Sequence, residues 1–323
     1  MKRLCLAVAM SLAAVGFVGE ARAQSYPTRT IRIVVPFAPG GGVDTLARLV
    51  GTKLSELVGQ PVVVEHRPGA GGNLGADAVA KSAPDGYTLL LTVSGLAISP
   101  ALYRTLPFDP VKDLIPVTEV ISTALVLVLN PKVPITSTEQ LVALTKSRPG
   151  SLNYGSSGLG APLHLAMEIL KHSAGVDIVH VPYRGDAPLN AALIAGDVQM
   201  AFVPQLSGLP LIKSGLVRAV GVTGTVRSSA LPDVPTIAEA KIAGLETSSW
   251  NGIFVPAGTP RAIVSIIQKE IARVINSPDV AERIRAVGSE TVGSTTEAFD
   301  AKFKAEVARF AKVIDEAKIP KLD

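Results

Sequence analysis

The sequence is poor in aromatic residues and cysteine, and each shortage excludes a class of protein. Phe, Trp and Tyr make up only 4% of the 323 residues, too few for the stacking surfaces of a single-stranded nucleic-acid binder. The single cysteine, Cys5, lies near the start, so the rest of the chain has no disulfide, thiolate nucleophile or cysteine-ligated metal. The formal net charge is only +4. We therefore expect no nucleic-acid partner.

Long apolar runs are also lacking, except for one near the start of the chain. Lys2 and Arg3 precede an almost uninterrupted apolar run over residues 4–18, and Ala21-Arg22-Ala23 follows it. A positive segment, a short apolar run and an Ala-x-Ala site are the parts of a secretory signal peptide. The run is shorter than the roughly 20 apolar residues of a membrane-spanning helix. We predict an exported protein that is cleaved after Ala23.

Alternating strand-like and helix-like segments predict an α/β fold. Short apolar runs at residues 31–37, 61–65 and 88–94 alternate with amphipathic stretches at 43–58 and 73–82. This order is typical of a parallel sheet with helices on both faces. The same alternation then starts again in the second part of the chain.

An apolar segment at 115–131 divides the two series of alternating elements. It is too long for one ordinary strand of about 5–6 residues, so we interpret it as a crossover from one sheet to another. A strand-like segment at 247–255 would return to the first sheet. The predicted domains are a signal peptide (1–23), a first lobe (24–124 together with 248–323) and a second lobe (125–247).

Three glycine-rich loops, at 36–42, 67–73 and 155–160, each join a predicted strand to a predicted helix. Such loops lie at the carboxyl ends of parallel strands, where ligands bind. Helix N-termini there present free N–H groups and about half a positive charge, which suits an anion. No loop fits Gly-x-Gly-x-x-Gly or ends in Gly-Lys-Ser/Thr, as a nucleotide phosphate would require. The loops therefore favour an organic carboxylate in a cleft between the lobes.

The patterns of known active sites are missing as well. There is no His-Glu-x-x-His motif, and the four histidines show no metal-ligand spacing. Residues 155–159 read Gly-Ser-Ser-Gly-Leu, which is not the Gly-x-Ser-x-Gly elbow of a hydrolase. We therefore expect a binding protein and not an enzyme, with no cofactor and no metal.

Several longer motifs carry a family resemblance. They are VVPFAPGGGVD at 34–44, VEHRPGAGGN at 64–73, PDGYTLL at 84–90, HVPYRG at 180–185 and WNGIFVPAGTP at 250–260. In this order, and over essentially the whole mature chain, the sequence resembles the Bug receptors, the extracytoplasmic solute-binding proteins of tripartite tricarboxylate transporters. The resemblance implies a two-lobed periplasmic-binding-protein-like fold of type II, each lobe a mainly parallel sheet flanked by helices, with two crossovers. It also implies a periplasmic location.

The resemblance further implies which residues contact the ligand. The first two glycine loops would hold one carboxylate through backbone groups and bridging waters, and the second lobe would complete the site. The implied contacts are Phe37, Ala38, Gly41, Ala70, Gly71, Gly72 and Asn73 in the first lobe, and Ser156, Ser157, His164, Tyr183, Arg184 and Gly185 in the second. Ser94 and Gln205, each near a predicted strand end, are further side-chain candidates.

Some of these residues have structural alternatives. Arg184 is either a bidentate partner for a second carboxylate or a surface or ion-paired arginine. His164 either contacts the ligand or has a capping or packing role in its helix, and Tyr183 either lines the cleft or only packs. His180, within an apolar strand, is expected to be a satisfied core histidine. Gln205 stands where many family members have Asp or Asn, which leaves the ligand's identity open.

The expected ligand is a small mono- or dicarboxylate, and the expected protein partners are membrane subunits. In one interpretation the protein delivers its ligand to a tripartite tricarboxylate transporter. In the alternative it is a periplasmic carboxylate sensor that signals to a sensor kinase ectodomain. In both we expect a monomer.

Overall fold

The computed structural model describes residues 26–246, 248–316 and 318–323. The predicted signal peptide and its cleavage after Ala23 lie outside the described residues. Within these ranges, no helix combines the length and the apolar character needed to cross a membrane.

The first sheet has six strands in the order β11-β4-β10-β3-β1-β2. They are β1 (Ile31–Val35), β2 (Val62–His66), β3 (Thr88–Val93), β4 (Leu114–Thr123), β10 (Ser249–Pro256) and β11 (Ser289–Thr291). Strand β1 pairs in parallel with β2 and β3, whereas β10 runs antiparallel to both β3 and β4, and β11 runs antiparallel to β4. We call this sheet and the helices packed on it the first lobe.

The second sheet has five strands in the order β7-β6-β8-β5-β9. They are β5 (Leu125–Leu129), β6 (Asn153–Ser156), β7 (Val179–Pro182), β8 (Met200–Pro204) and β9 (Arg218–Val222). Strand β6 is parallel to β7 and β8, and β5 is antiparallel to β8 and β9. This sheet and its helices form the second lobe.

The α/β architecture is confirmed, but the expectation of mainly parallel sheets is wrong, because both sheets are mixed. Only Ala124 separates β4 from β5, so the chain passes directly from one sheet into the other. Likewise β10 returns to the first sheet after the whole second lobe. Parallel neighbours arise from strand–helix–strand crossovers within one sheet. Strands β5 and β10 enter their sheets from the other sheet and not through such a crossover, and both pair antiparallel with their neighbours.

Ten α-helices of the described residues cover the two sheets. They are α1 (Gly42–Val58), α2 (Asn73–Ala80), α3 (Gly95–Leu102), α4 (Thr138–Ser147), α5 (Pro162–Ala174), α6 (Asp186–Ala195), α7 (Gln205–Lys213), α8 (Arg261–Ile275), α9 (Pro278–Ala286) and α10 (Thr296–Glu316). Helix α1 shows why they pack: Leu46, Val50 and Leu54 recur at helical spacing and are all buried, so one apolar stripe faces the sheet.

The hydrophobic core continues from the second lobe into the first. Leu127 and Phe202 of the second sheet belong to the same buried cluster as Trp250, Phe299 and Phe303. The Trp250 ring meets Phe299 edge-on with 5.1 Å between ring centroids, and its Nε1–H donates to Glu306 at 2.6 Å. Trp250 therefore anchors α10 on the first sheet.

Candidate ligand-binding cleft

The three glycine loops meet at one cleft between the lobes. The cleft has a volume of ≈540 Å³, within the range of roughly 300–1,000 Å³ that is usual for small-molecule sites. Its first-lobe wall comes from the first two loops, and its second-lobe wall comes from the third loop and the end of β7. The lining residues are Pro36, Phe37, Pro68, Gly69, Ala70, Gly71, Gly72, Leu74, Ser157, Gly158, Leu159, Pro182, Tyr183 and Arg184.

The first loop is held in place by a buried aspartate. Asp44, in the first turn of α1, accepts a 2.9 Å hydrogen bond from the Gly40 N–H and contacts His66 at the end of β2 and Arg48. Burial raises the pKa of Asp44, but hydrogen bonds from Gly40, Arg48 and His66 outweigh burial and bring it below its ordinary value. Asp44 is therefore a charged clamp between the loop and β2.

The second loop turns tightly and leads into α2. Gly71 and Gly72 adopt φ angles of 63° and 106°, a region in which glycine has no steric penalty. Asn73 then begins α2, and its Oδ1 accepts from the Ser99 hydroxyl at 2.8 Å. Asn73 Nδ2 is buried and makes no hydrogen bond within the described part of the chain. The loop therefore presents backbone groups with little side-chain cover.

The third loop is supported from behind by a histidine pair. His180 Nε2 lies 2.7 Å from the Ser156 hydroxyl, and His164 Nδ1 accepts from the Gly160 N–H at 3.3 Å. The two imidazole rings are 4.4 Å apart. Burial, followed by the charge of His164, lowers the pKa of His180 to about 4, and burial also lowers the pKa of His164. Both rings are therefore neutral at neutral pH. A neutral ring is what the contact with Gly160 requires, because His164 Nδ1 can accept a hydrogen bond only when it carries no proton.

The turn after β7 crosses to the first lobe. The Ala38 N–H donates to the Arg184 carbonyl at 3.3 Å, and a Cβ at Gly185, where φ is +120°, would lie 3.2 Å from the Ala38 nitrogen. The side chains of Tyr183 and Arg184 line the cleft, and Arg184 makes no ion pair within the described residues. This arrangement leaves its guanidinium available to a ligand.

Sequence reasoning missed Asp186, the first residue of α6. Its side chain lies against the first loop of the other lobe, since a Cβ at Gly41 would be 3.2 Å from the Asp186 Cβ. Asp186 also lines a smaller inner cavity of ≈30 Å³ together with Gly42 and Ser157. Burial raises its pKa to about 6, although a hydrogen bond from the Gly42 N–H opposes the shift. The sequence signal that could have indicated this residue is an acidic side chain at the start of a helix, directly after the loop glycine Gly185.

Seven of the fifteen candidates line the cleft, and eight do not. Six of the eight, Ala38, Gly41, Asn73, Ser156, His164 and Gly185, belong to the loops or to the elements that support them, whereas Ser94 and Gln205 lie apart from the loops. The Ser94 hydroxyl lies 2.9 Å from that of Ser249, and both residues are buried beside the crossover. Gln205 is fully buried, donates through Nε2 to Ser228 at 2.6 Å, and packs against Gly288. It lines a separate cavity of ≈480 Å³. Both residues lie at or just after strand ends next to the crossover, and sequence position does not show which way their side chains point.

Comparison with known proteins identifies the family. The profile described as "Tripartite tricarboxylate transporter family receptor" matches residues 46–319. BugT of Bordetella pertussis is 36% identical over 318 residues, which is 98% of each chain. A Rhodopseudomonas palustris protein solved with adipate shares 37% identity with a TM-score of 0.88, over 92% of this chain and all of that one. MatC from the same organism, solved with bound malate, shares 31% identity with a TM-score of 0.86, over 90% and 100%.

These matches confirm the resemblance, the fold class and the expectation that the chain is not an enzyme, because proteins of this type are periplasmic solute-binding receptors. The family match covers most of the described residues, including the second and third glycine loops. The chain therefore belongs to the receptor family of the tripartite tricarboxylate transporters, as a solute-binding protein of the Bug type.

Proposed function

We propose that this receptor traps one small mono- or dicarboxylate between its lobes and delivers it to the membrane subunits of a tripartite tricarboxylate transporter. The observation that supports this most directly is the convergence of three glycine loops, from both sheets, on one cleft. A cleft built from two lobes can hold its ligand on both sides only when the lobes are closed.

The first two loops would bind the carboxylate through their backbone. The second loop places Ala70, Gly71 and Gly72 just before α2, where N–H groups favour an anion. The Gly72 N–H donates to the Gly69 carbonyl at 2.9 Å, so the N–H groups of Ala70 and Gly71 would take the anion. Positive φ angles at the two glycines let a ligand approach without a Cβ in the way. Within this proposal Phe37, Ala38, Gly41 and Asn73 complete the first-lobe side.

The second lobe would supply the remaining contacts. Ser157, Tyr183 and Arg184 line the cleft, and a guanidinium binds a carboxylate through two parallel hydrogen bonds. Ser156 and His164 would act through the shape of the third loop, and Gly185 through its close approach to Ala38. The relatives solved with adipate and with malate support a carboxylic acid as the ligand class.

Ligand binding would select the closed arrangement of the lobes. The present structure has cross-lobe hydrogen bonds from the Ala38 N–H to the Arg184 carbonyl and from the Tyr103 hydroxyl to the Leu159 carbonyl. A ligand that touches both walls adds to these bonds only in the closed form, and so shifts the population toward it. The predicted lobe boundaries, 24–124 with 248–323 and 125–247, are part of this proposal.

The test is a thermal-shift screen of the protein that begins at Gln24 against small carboxylic acids, followed by calorimetry. A ligand that binds only the folded state raises the melting temperature. We expect at least one acid to bind with one equivalent per chain and without turnover. Tight binding of an uncharged or cationic compound, together with no response to any acid, would contradict the proposal.

A further inference from the structure

Apolar side chains from both lobes line the cleft. Pro36 and Phe37 line it from the first loop, Pro68 and Leu74 from the second, and Leu159 from the third. Leu74 is 57% exposed and Leu159 is 43% exposed, although leucine is usually buried. Neither side chain belongs to the core of its lobe, and the two come from opposite lobes to the same cleft. Exposed apolar groups that converge on one cavity indicate an apolar partner.

Charge in the cleft is confined to one position. Arg184 is the only charged residue among the described residues that line it, and Ser157 and Tyr183 are the only side chains there with a hydroxyl group. A short acid with several hydroxyl groups would therefore find few side chains in the cleft to pair with, and each hydroxyl group placed against proline, leucine or phenylalanine would lose hydrogen bonds to water at a cost in free energy. An acid with an unsubstituted chain would not have this cost.

From this lining we infer that the ligand is a carboxylate with an unsubstituted apolar chain or ring, which packs between Leu74 and Leu159. The inference rests on the proposed function and specifies its substrate class. The carboxylate end would take the amides of the second loop or Arg184, and the apolar body would cover the two leucines. Short hydroxylated acids would bind more weakly than unsubstituted acids of greater length.

The first experiment measures affinity across straight-chain monocarboxylates from butyrate to octanoate, with malate and tartrate for comparison. Each buried methylene should raise the affinity about fourfold, the equivalent of about 0.8 kcal/mol, until the cleft is filled. Equal affinity along the series, or tighter binding of malate than of hexanoate, would overturn the inference while leaving a carboxylate receptor intact. If no acid of either kind bound, the proposed function itself would fail.

The second experiment tests the two leucines with a matched control. Leu159→Ser and Leu74→Ser should each weaken octanoate binding by about tenfold and butyrate binding by less than twofold, because only the longer chain reaches them. Leu216→Ser is the control, since Leu216 is 44% exposed and does not line the cleft. It should leave both affinities unchanged. Equal losses for the two acids, or the same loss in the control, would assign the leucines to the fold and contradict the inference.

Discussion

The Tyr103 hydroxyl, just after α3 in the first lobe, donates a 2.9 Å hydrogen bond to the Leu159 carbonyl in the third glycine loop of the second lobe. A glycine in each lobe leaves the space that this contact needs. A Cβ at Gly160 would lie 2.8 Å from the Tyr103 ring, and a Cβ at Gly71 would overlap the Leu159 carbonyl oxygen. The glycines of the second and third loops therefore serve closure of the lobes as well as access to the ligand.

Replacement of Gly71 by alanine should abolish closure without unfolding the protein. Its φ is +63°, and Gly175 at the end of α5 has the same φ with nothing within 4 Å of an added Cβ. Both Gly71→Ala and Gly175→Ala should lower the free energy of unfolding by about 1 kcal/mol, the cost of left-handed backbone in a residue with a Cβ. Only Gly71→Ala should weaken ligand binding, by tenfold or more, in calorimetry.

The comparison of these two variants separates strain from steric blockage. If Gly71→Ala bound ligand as well as Gly175→Ala does, the second loop would not approach Leu159 in the bound form. Gly41→Ala tests steric blockage without backbone strain. The φ of Gly41 is −87°, which alanine adopts freely, but the new Cβ would lie 3.2 Å from the Asp186 Cβ. That variant should lose affinity without losing stability.

The cross-lobe hydrogen bond itself can be removed by Tyr103→Phe. The ring stays, so packing is kept, and the loss is that of one hydrogen bond, about 1 kcal/mol. We expect ligand affinity to fall about fivefold and the radius of gyration of the unliganded protein in small-angle scattering to increase. An unchanged affinity and an unchanged scattering curve would show that this bond does not favour the closed form.

The elements around the site could be predicted where their pattern was strong. Helix α1 and the first loop follow from apolar residues at helical spacing after a buried strand. Helix α3 was missed because Gly95–Leu102 is apolar on every side and contains Pro100, so it shows no amphipathic contrast. Strand β11 has only three residues, too few to form a pattern.

Sequence patterns could not predict where individual side chains point or which distant residues they contact. Sequence spacing placed Gln205 at a strand end but could not show that its side chain turns toward Ser228 and Gly288. In the same way Asp186 contacts Gly41, which is far away in sequence and belongs to the other lobe, so only the closed fold brings them together. Backbone loops were predictable because glycine and strand order determine them locally.

Arg184→Ala should discriminate between ligands with one and two carboxylates. We expect adipate to lose about tenfold or more in affinity, as is typical for loss of a charged hydrogen-bonded pair, while hexanoate loses less than threefold. Both acids have the same number of carbons, so their difference isolates the second carboxylate. Arg184→Lys keeps the charge but not the bidentate geometry and should fall between the two. Equal losses for both acids would indicate a structural arginine.

Asp186→Asn should change how stability depends on pH. Burial raises the pKa of Asp186 in the folded state to about 6, whereas in the unfolded chain an aspartate titrates near its ordinary value of about 3.9. Since the folded state binds this proton more tightly, its stabilising contribution is complete below about pH 4 and is lost as the pH rises through about 6. A shift of about two units corresponds to about 3 kcal/mol.

The measurement is urea unfolding of the wild type and Asp186→Asn at several values between pH 4 and pH 8. Asparagine has the same size and does not titrate, so the variant should gain stability relative to the wild type as the pH rises, up to about 3 kcal/mol. His180, with a pKa lowered to about 4, makes both proteins lose stability as the pH falls below about 6.5. It affects both equally, so the difference between the two curves isolates Asp186. Curves that stay parallel would show that Asp186 is not buried against the first loop in solution.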